Sequence, residues 1–386
     1  MASARKRKKI VILTLPVGGG HLTAAKIVDE ALRDKAKGAV IVKTIDIMDE
    51  WIPGSPKFFA KSYEQSVKNL NSAPYKLSYD FANAQPKLVD ELFGLFFNRL
   101  ADRIFKREMP DLVVSTFPIV SYLSHKSLQK SGQTDVPIVS VITDAGAVHR
   151  LWLMGVEDTV ITATKDTIDY AVSQGVPREK LHYFGFPVLK HFSRLPSRVL
   201  AREKLGLENK PTVVITSGGL GMNPKKMVKI VEELARRKVT FQVEVICGKN
   251  ENLYDELSKI DTTGLAIHLH KFVTNMPLLL AASDVVCSKA GWLTVSETIA
   301  ARRPMILFNI IPGQEEPNAS YVVKNGYGEV ITDPVYLVDR LEGLLCHEQL
   351  LKGYDAAFKK RLSGRTASRK IAEFILAELK VETTDR

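Results

Sequence analysis

The sequence predicts an α/β chain built as two doubly wound, parallel-sheet units, and three observations carry that expectation. Short continuous apolar runs alternate with longer stretches of helical periodicity along nearly the whole chain, the pattern of strands buried on both faces and the helices that cover them. A second series of such runs begins near residue 211, after a stretch at 184–188 and 194–197 punctuated by glycine and proline without periodicity. The length of 386 residues, set against a typical domain of roughly 150, gives two to three domains.

The elements follow in order. Residues 10–13, 41–45, 112–115, 138–142 and 160–163 are the strand candidates of the first unit. After the first of them, Leu22, Ala25, Val28 and Leu32 recur at helical spacing, which packs back on the sheet as a right-handed crossover. Residues 212–216, 243–247, 285–287 and 305–308 are the strands of the second unit, and 363–380 is an amphipathic helix. The expected division is 1–190 for an N-terminal unit facing the acceptor and a membrane, and 191–362 for a C-terminal unit. Residues 363–386 are then a helix packing back on the first. One segment breaks the rhythm. From 51 to 105 there is no convincing buried strand, yet Trp51, Phe58, Phe59, Phe97, Phe105 and further aromatics crowd in among lysines and arginines. A helical insertion with an aromatic core fits this, and so does an amphipathic surface dipping into a lipid interface; both can hold at once.

Hydrophobic residues at 45% and charged residues at 25% exclude a largely disordered or fibrous chain. The formal net charge is +11, but five of the positives are Arg5, Lys6, Arg7, Lys8 and Lys9. The excess is partly a tail and the remainder is scattered, so a nucleic-acid-binding role is not expected. Cys247, Cys287 and Cys346 are far apart and form no CxxC, which argues against a disulfide framework or zinc site and suits a reducing cytoplasm. No apolar run reaches the length of a membrane span, and the basic start does not read as a cleavable signal.

The chemistry concentrates in the turns that follow strands. Val17-Gly18-Gly19-Gly20-His21 opens the first helix, where glycines let a ligand approach and a helix N-terminus favours negative charge. The run lacks the Gly-Lys-Ser/Thr of a P-loop, and Thr23 stands where a dinucleotide fingerprint wants glycine. His21 places an imidazole at the mouth of the sheet, where the helix start would keep it neutral; capping the helix is the alternative role. Ser217-Gly218-Gly219-Leu220-Gly221 occupies the same topological place in the second unit. In 288–297, Thr294 and Glu297 sit one turn apart near a helix start. That spacing suits a diphosphate and a ribose, although on spacing alone a capping box is favoured. Residues 311–318 form a polar loop suited to sugar hydroxyls.

Taken together and in order, Gly18-Gly19-Gly20-His21-Leu22-Thr23-Ala24-Ala25, Thr143-Asp144 with His149 and Trp152, Ser217-Gly218-Gly219-Leu220-Gly221, Gly291 with Thr294 and Glu297, and Pro312-Gly313-Gln314-Glu315 with Asn318 carry a resemblance. From about residue 9 to about 380 the chain resembles GT-B glycosyltransferases of the family 28 type, within the monogalactosyldiacylglycerol synthase and processive diacylglycerol glucosyltransferase group. The resemblance implies two Rossmann-like units facing a cleft, with a UDP-sugar in the C-terminal unit and an acceptor entering through the N-terminal one. By that analogy Phe272 and Val273 border the uracil, and Gly218, Gly219 and Thr294 hold the diphosphate beside Gly291. Glu297 binds ribose, and Gln314 and Glu315 face the sugar with Asn318 in the same loop. His21 is then the candidate general base and Asp144 its rival, while Gly19, Gly20, His149, Trp152, Trp51, Phe58 and Phe59 lie on the acceptor or membrane side. Val17 and Trp292 depart from the small residues frequent at their places.

The implied activity is inverting transfer of glucose or galactose from a UDP-sugar to diacylglycerol, by an enzyme peripheral on the cytoplasmic face of an anionic cell membrane. UDP-sugar is a co-substrate, and neither a cofactor nor a metal is expected, since no suitably placed DxD pair occurs. A non-glycerolipid acceptor, such as a peptidoglycan precursor, and a UDP-sugar epimerase are the alternatives on the same architecture.

Overall fold

A computed structural model of the protein describes residues 7–15, 19–51, 73–154, 158–219, 221, 223–359 and 367–381. The chain divides into two compact units, one running to Val188 and taking in the C-terminal helix, the other running from Leu189 to Arg365.

The first unit holds a six-stranded sheet of β1 (Lys8–Thr14), β2 (Val40–Asp46), β3 (Leu112–Ser115), β4 (Ile138–Val141), β5 (Thr159–Thr162) and β6 (Leu181–Tyr183), ordered β2-β1-β3-β4-β5-β6 and parallel throughout. Its helices are α1 (Gly19–Ala36), α2 (Ile47–Trp51), α3 (Ala73–Ala84), α4 (Pro86–Glu108), α5 (Val120–Lys130) and α6 (Lys165–Ser173). On α1 the buried stripe is His21, Ala24, Ala25, Val28 and Leu32. Leu22, expected in that stripe, is exposed, because the imidazole of His21 takes the inward position one residue earlier.

The second unit repeats the plan with β7 (Thr212–Thr216), β8 (Gln242–Ile246), β9 (Ile267–His270), β10 (Val285–Lys289), β11 (Met305–Asn309) and β12 (Gly328–Val330), ordered β12-β11-β10-β7-β8-β9. Its helices include α7 (Arg198–Leu205), α8 (Pro224–Arg237), α9 (Glu251–Leu257), α10 (Met276–Ala282), α11 (Trp292–Ala300), α12 (Glu316–Lys324) and α13 (Pro334–Cys346). Val213, Ile215, Val243, Val245, Val285 and Cys287 fill its core from the strands.

The last helix, α14 (Ala367–Glu378), belongs to the first unit. Ile371, Ala372, Ile375 and Leu376 join Ile10, Val28 and Leu32 in one cluster, and Lys35 pairs with Glu373 at 2.8 Å. In the insertion, Phe105 is fully buried and Phe97 packs on the same core, so α4 has the aromatic core one of the two readings expected. Leu77 and Phe81 of α3 do the opposite and lie exposed at 73% and 51%.

In each sheet the chain reverses its direction of strand addition once, between β1 and β3 and between β7 and β10. The crevice at the carboxyl ends of such a pair is where doubly wound sheets bind ligands.

Candidate functional site

At the first crevice, α1 begins at Gly19, and its third residue is His21. Neither Gly19 nor Gly20 would bring a methyl group within 4 Å of protein atoms, so packing does not dictate glycine there. The ring of His21 reaches across to the chain leaving β3, where Nδ1 lies 2.9 Å from the Thr116 carbonyl oxygen. A carbonyl only accepts, so Nδ1 carries the hydrogen and Nε2 keeps the bare lone pair. The Thr116 hydroxyl donates back to the His21 carbonyl at 3.2 Å. Phe117 and Trp152 enclose the ring, with centroids 4.8 and 6.1 Å away. Burial pushes the His21 pKa down to about 4, against a smaller opposing effect of the Thr116 bond. Burial, not the helix start, is therefore what keeps the imidazole neutral.

His149 is bonded the other way round. The Leu151 amide donates to its Nδ1 at 3.2 Å, so Nε2 carries the hydrogen and faces the Tyr79 carbonyl at 3.4 Å. Both nitrogens are committed to backbone, and with the Arg150 amide on Asn83 Oδ1 (2.8 Å) they tie α3 to the short turn Arg150–Trp152. Trp152 is fully buried, and its indole Nε1 has no hydrogen-bond partner among the described residues. Asp144 follows Thr143 along the chain and is half-buried. Trp51 ends α2, while its side chain, Gly18, Phe58 and Phe59 lie outside the described residues.

At the second crevice, two glycine turns meet around one lysine. Gly218, at φ +76°, follows β7, and a Cβ there would come within 2.9 Å of Lys289 Cε. A Cβ on Gly291 would come within 2.6 Å of Lys289 Nζ and 3.3 Å of Glu315 Oε1. Lys289 ends β10, and its ammonium pairs with Glu315, which is buried. The second oxygen of Glu315 accepts from the Ile311 amide at 3.2 Å, and Asn318 Nδ2 donates to the Ala290 carbonyl at 3.1 Å. The polar loop after β11 is thus knitted to the turn after β10, with Gln314 half-buried beside Glu315.

Helix α11 begins at Trp292 with Gly291 as its cap and no side chain bonded to the free amides. Thr294 lies inside the helix, so the capping box that spacing favoured does not form. The indole of Trp292 is buried and edge-on to Tyr321 at 5.3 Å. Glu297 is buried one turn on from Thr294, and burial pushes its pKa up to about 8, leaving a neutral acid at pH 7.

Phe272 follows β9 and is 54% exposed, with its ring close to Gly219, where a Cβ would sit 3.8 Å from Cε2. Lys249 Nζ stands 5.4 Å from the centre of the ring, and its amide donates to the Gly219 carbonyl at 2.9 Å. Val273 is half-buried beside it. The arrangement offers an aromatic face with a cation over it.

Three residues at these two crevices escaped the sequence reading. Lys289 had a legible signal, a charged residue between a buried strand and a glycine, whereas Thr116 acts through its carbonyl and Lys249 through a tertiary approach that no local pattern encodes. No group of three or more potential ligands arranged for a metal occurs among the described residues.

Comparison with known proteins adds family and fold. Residues 21–188 match the family model described as monogalactosyldiacylglycerol (MGDG) synthase, and residues 212–373 match the glycosyltransferase family 28 C-terminal domain. A processive diacylglycerol beta-glucosyltransferase of Bacillus cereus is 30% identical over 98% of this chain and 95% of its own length. One of Bacillus anthracis is 29% identical over the same shares. Among solved structures, Acinetobacter baumannii MurG has a TM-score of 0.62 at 17% identity, covering 96% of this chain and 99% of that one. A UDP co-structure of S. aureus MnaA has a TM-score of 0.61 at 15% identity, covering 98% and 99%; these two likenesses concern the fold.

Proposed function

The chain belongs to the GT-B glycosyltransferases of the family 28 type that include the monogalactosyldiacylglycerol synthases and processive diacylglycerol glucosyltransferases, and we propose that it moves a hexose from a UDP-sugar to the hydroxyl of diacylglycerol, with inversion, at the cytoplasmic face of a membrane. The relatives named for glucosyl transfer favour glucose. The observation that carries the reading is His21, a buried neutral imidazole whose Nδ1–H is spent on Thr116 and whose Nε2 is left basic. In the proposed step Nε2 takes the acceptor's hydroxyl proton as its oxygen bonds to C1 of the sugar. The bond from C1 to the β-phosphate oxygen breaks on the opposite face, and UDP leaves with the electron pair.

The second unit is read as the donor site. The ring of Phe272 with Lys249 suits uracil. The free amides of α11 and the ammonium of Lys289, beside Gly218, Gly219 and Gly291, suit the diphosphate and the charge that grows on it as UDP leaves. Glu297, as a neutral acid, both donates to and accepts from ribose hydroxyls. Glu315 and Asn318 reach the sugar only by sharing their present contacts with Lys289 and Ala290. The exposed Leu77 and Phe81 suit an interfacial surface, and no helix among the described residues is long and apolar enough to cross a membrane. UDP-sugar and diacylglycerol are the two substrates this reading requires.

The test is incubation with diacylglycerol vesicles and either UDP-glucose or UDP-galactose, followed by mass analysis of the lipids. Hexosyldiacylglycerol formed faster from UDP-glucose is the expected result. Release of UDP without a glycolipid, or epimerised UDP-sugar, contradicts the reading.

A further inference from the structure

We propose that Thr143 is a positioning residue that helps hold His21 in the one ring orientation in which the Thr116 carbonyl fixes the hydrogen on Nδ1 and leaves Nε2 basic; the catalytic consequence rests on the reading of His21 as the base. Thr143 lies just past β4, buried, with Oγ1 2.8 Å from the same Nδ1 that lies 2.9 Å from Thr116 O. The Thr116 oxygen cannot donate, so Nδ1 must, and the Thr143 hydroxyl shares that hydrogen as a second acceptor. A flip of the ring would turn a carbon toward both oxygens and lose both contacts. The alternative tautomer would set the Nδ1 lone pair against the Thr116 carbonyl. The Thr116 carbonyl alone excludes that tautomer in this orientation, since a hydroxyl can donate as well as accept; against the flipped ring both contacts count, and the one to Thr143 adds about a further tenfold, the worth of one ordinary hydrogen bond.

Among the described residues, Thr116, Thr143, Phe117 and Trp152 meet the ring, and the named influences on its titration are burial and the Thr116 bond. The two described partners of Nδ1 are neutral oxygens, where many catalytic histidines rely on a carboxylate. Thr143 touches no reacting atom in this arrangement and acts through His21.

Two substitutions separate this role from packing. Thr143→Val keeps the shape and removes the acceptor, whereas Thr143→Ser keeps the hydroxyl and removes a methyl group. The positioning role predicts that Thr143→Val lowers kcat about tenfold, because the Nδ1–H bond to Oγ1 strengthens as Nε2 takes the proton and the ring becomes positive, with KM for UDP-glucose within about twofold, and that Thr143→Ser restores kcat. Nitrogen-resolved NMR of histidine-labelled protein reads the tautomer without turnover. His21 should show hydrogen on Nδ1 alone in the wild type and in Thr143→Ser, and a mixture with a minor Nε2–H form in Thr143→Val, from rings that have flipped away from the Thr116 carbonyl. A pure Nδ1–H signature in Thr143→Val, or Thr143→Ser as impaired as Thr143→Val, overturns the proposal. A tautomer mixture in Thr143→Val with unchanged turnover leaves Thr143's hold on the ring in place and overturns His21 as the base.

Discussion

The Nδ1 of His21 meets the carbonyl of Thr116 at 2.9 Å across the crevice where the first sheet reverses its strand order. This contact distinguishes His21 from His149, the other histidine singled out in that unit. The ring of His149 has both nitrogens occupied by backbone, Nδ1 accepting and Nε2 donating. A general base needs a free lone pair, so the geometry favours His21 before any titration is considered.

Burial of the neutral ring has a cost at low pH. The folded-state pKa of His21 is about 4 against an ordinary 6.5. Between those values the unfolded chain binds more protons than the folded one, so stability present above pH 6.5 is lost as pH falls toward 4. The contribution is on the order of 3 kcal/mol. Urea unfolding of His21→Gln and wild type at pH 4.5 and 7 should show a smaller loss on acidification for the variant; equal losses would mean the ring is more exposed than described.

Glu297 gives the opposite slope. Its folded pKa of about 8 lies above the ordinary 4.5, so the folded chain binds the extra proton between those values and stability falls as pH rises through them. Glu297→Gln should flatten this part of the profile and raise the unfolding midpoint at pH 8. Glu297→Ala should weaken UDP binding about ten- to a hundredfold, the range of a strong hydrogen bond. Unchanged UDP affinity by calorimetry would leave Glu297 outside the ribose site.

How much of this was legible in the sequence follows from burial. The central strands read clearly because both faces are covered, as in β1 and β7, where nearly every residue is apolar or packed. The edge strands β6 and β12 did not, since Leu181-His182-Tyr183 and Gly328-Glu329-Val330 are short and polar where one side meets solvent. The glycine turns and His21 were visible as motifs. What was not visible is which atom meets which, because the pairing of His21 with Thr116 joins residues 95 apart, and that of Lys289 with Glu315 joins residues 26 apart. The burial of Glu297 was equally hidden, since a carboxylate one turn after a threonine looks like a cap until the helix is seen to begin at Trp292.

Gly291→Ala probes Lys289 without straining the backbone. Gly291 has φ −65° and ψ 128°, allowed for alanine, yet the new methyl would lie 2.6 Å from Lys289 Nζ. The ammonium must move. UDP affinity should fall severalfold while the melting temperature changes little; affinity equal to wild type would remove Lys289 from the diphosphate site.

Leu77→Ser with Phe81→Ser tests the exposed face of α3. Both side chains are largely in solvent, so thermal stability should hold. Activity on diacylglycerol vesicles should drop several times more than activity on a short-chain soluble acceptor, because only vesicles require interfacial docking. Equal losses on both acceptors would count against a membrane role for this face.

The central claim, that His21 Nε2 takes the acceptor proton, is tested most directly by measuring turnover and UDP affinity together in His21→Ala. Turnover should fall about a hundredfold or more, the scale of a positioned general base, with UDP affinity nearly preserved. Near-normal turnover would contradict the claim and shift attention to Asp144, and a comparable loss of UDP affinity would make His21 a binding residue.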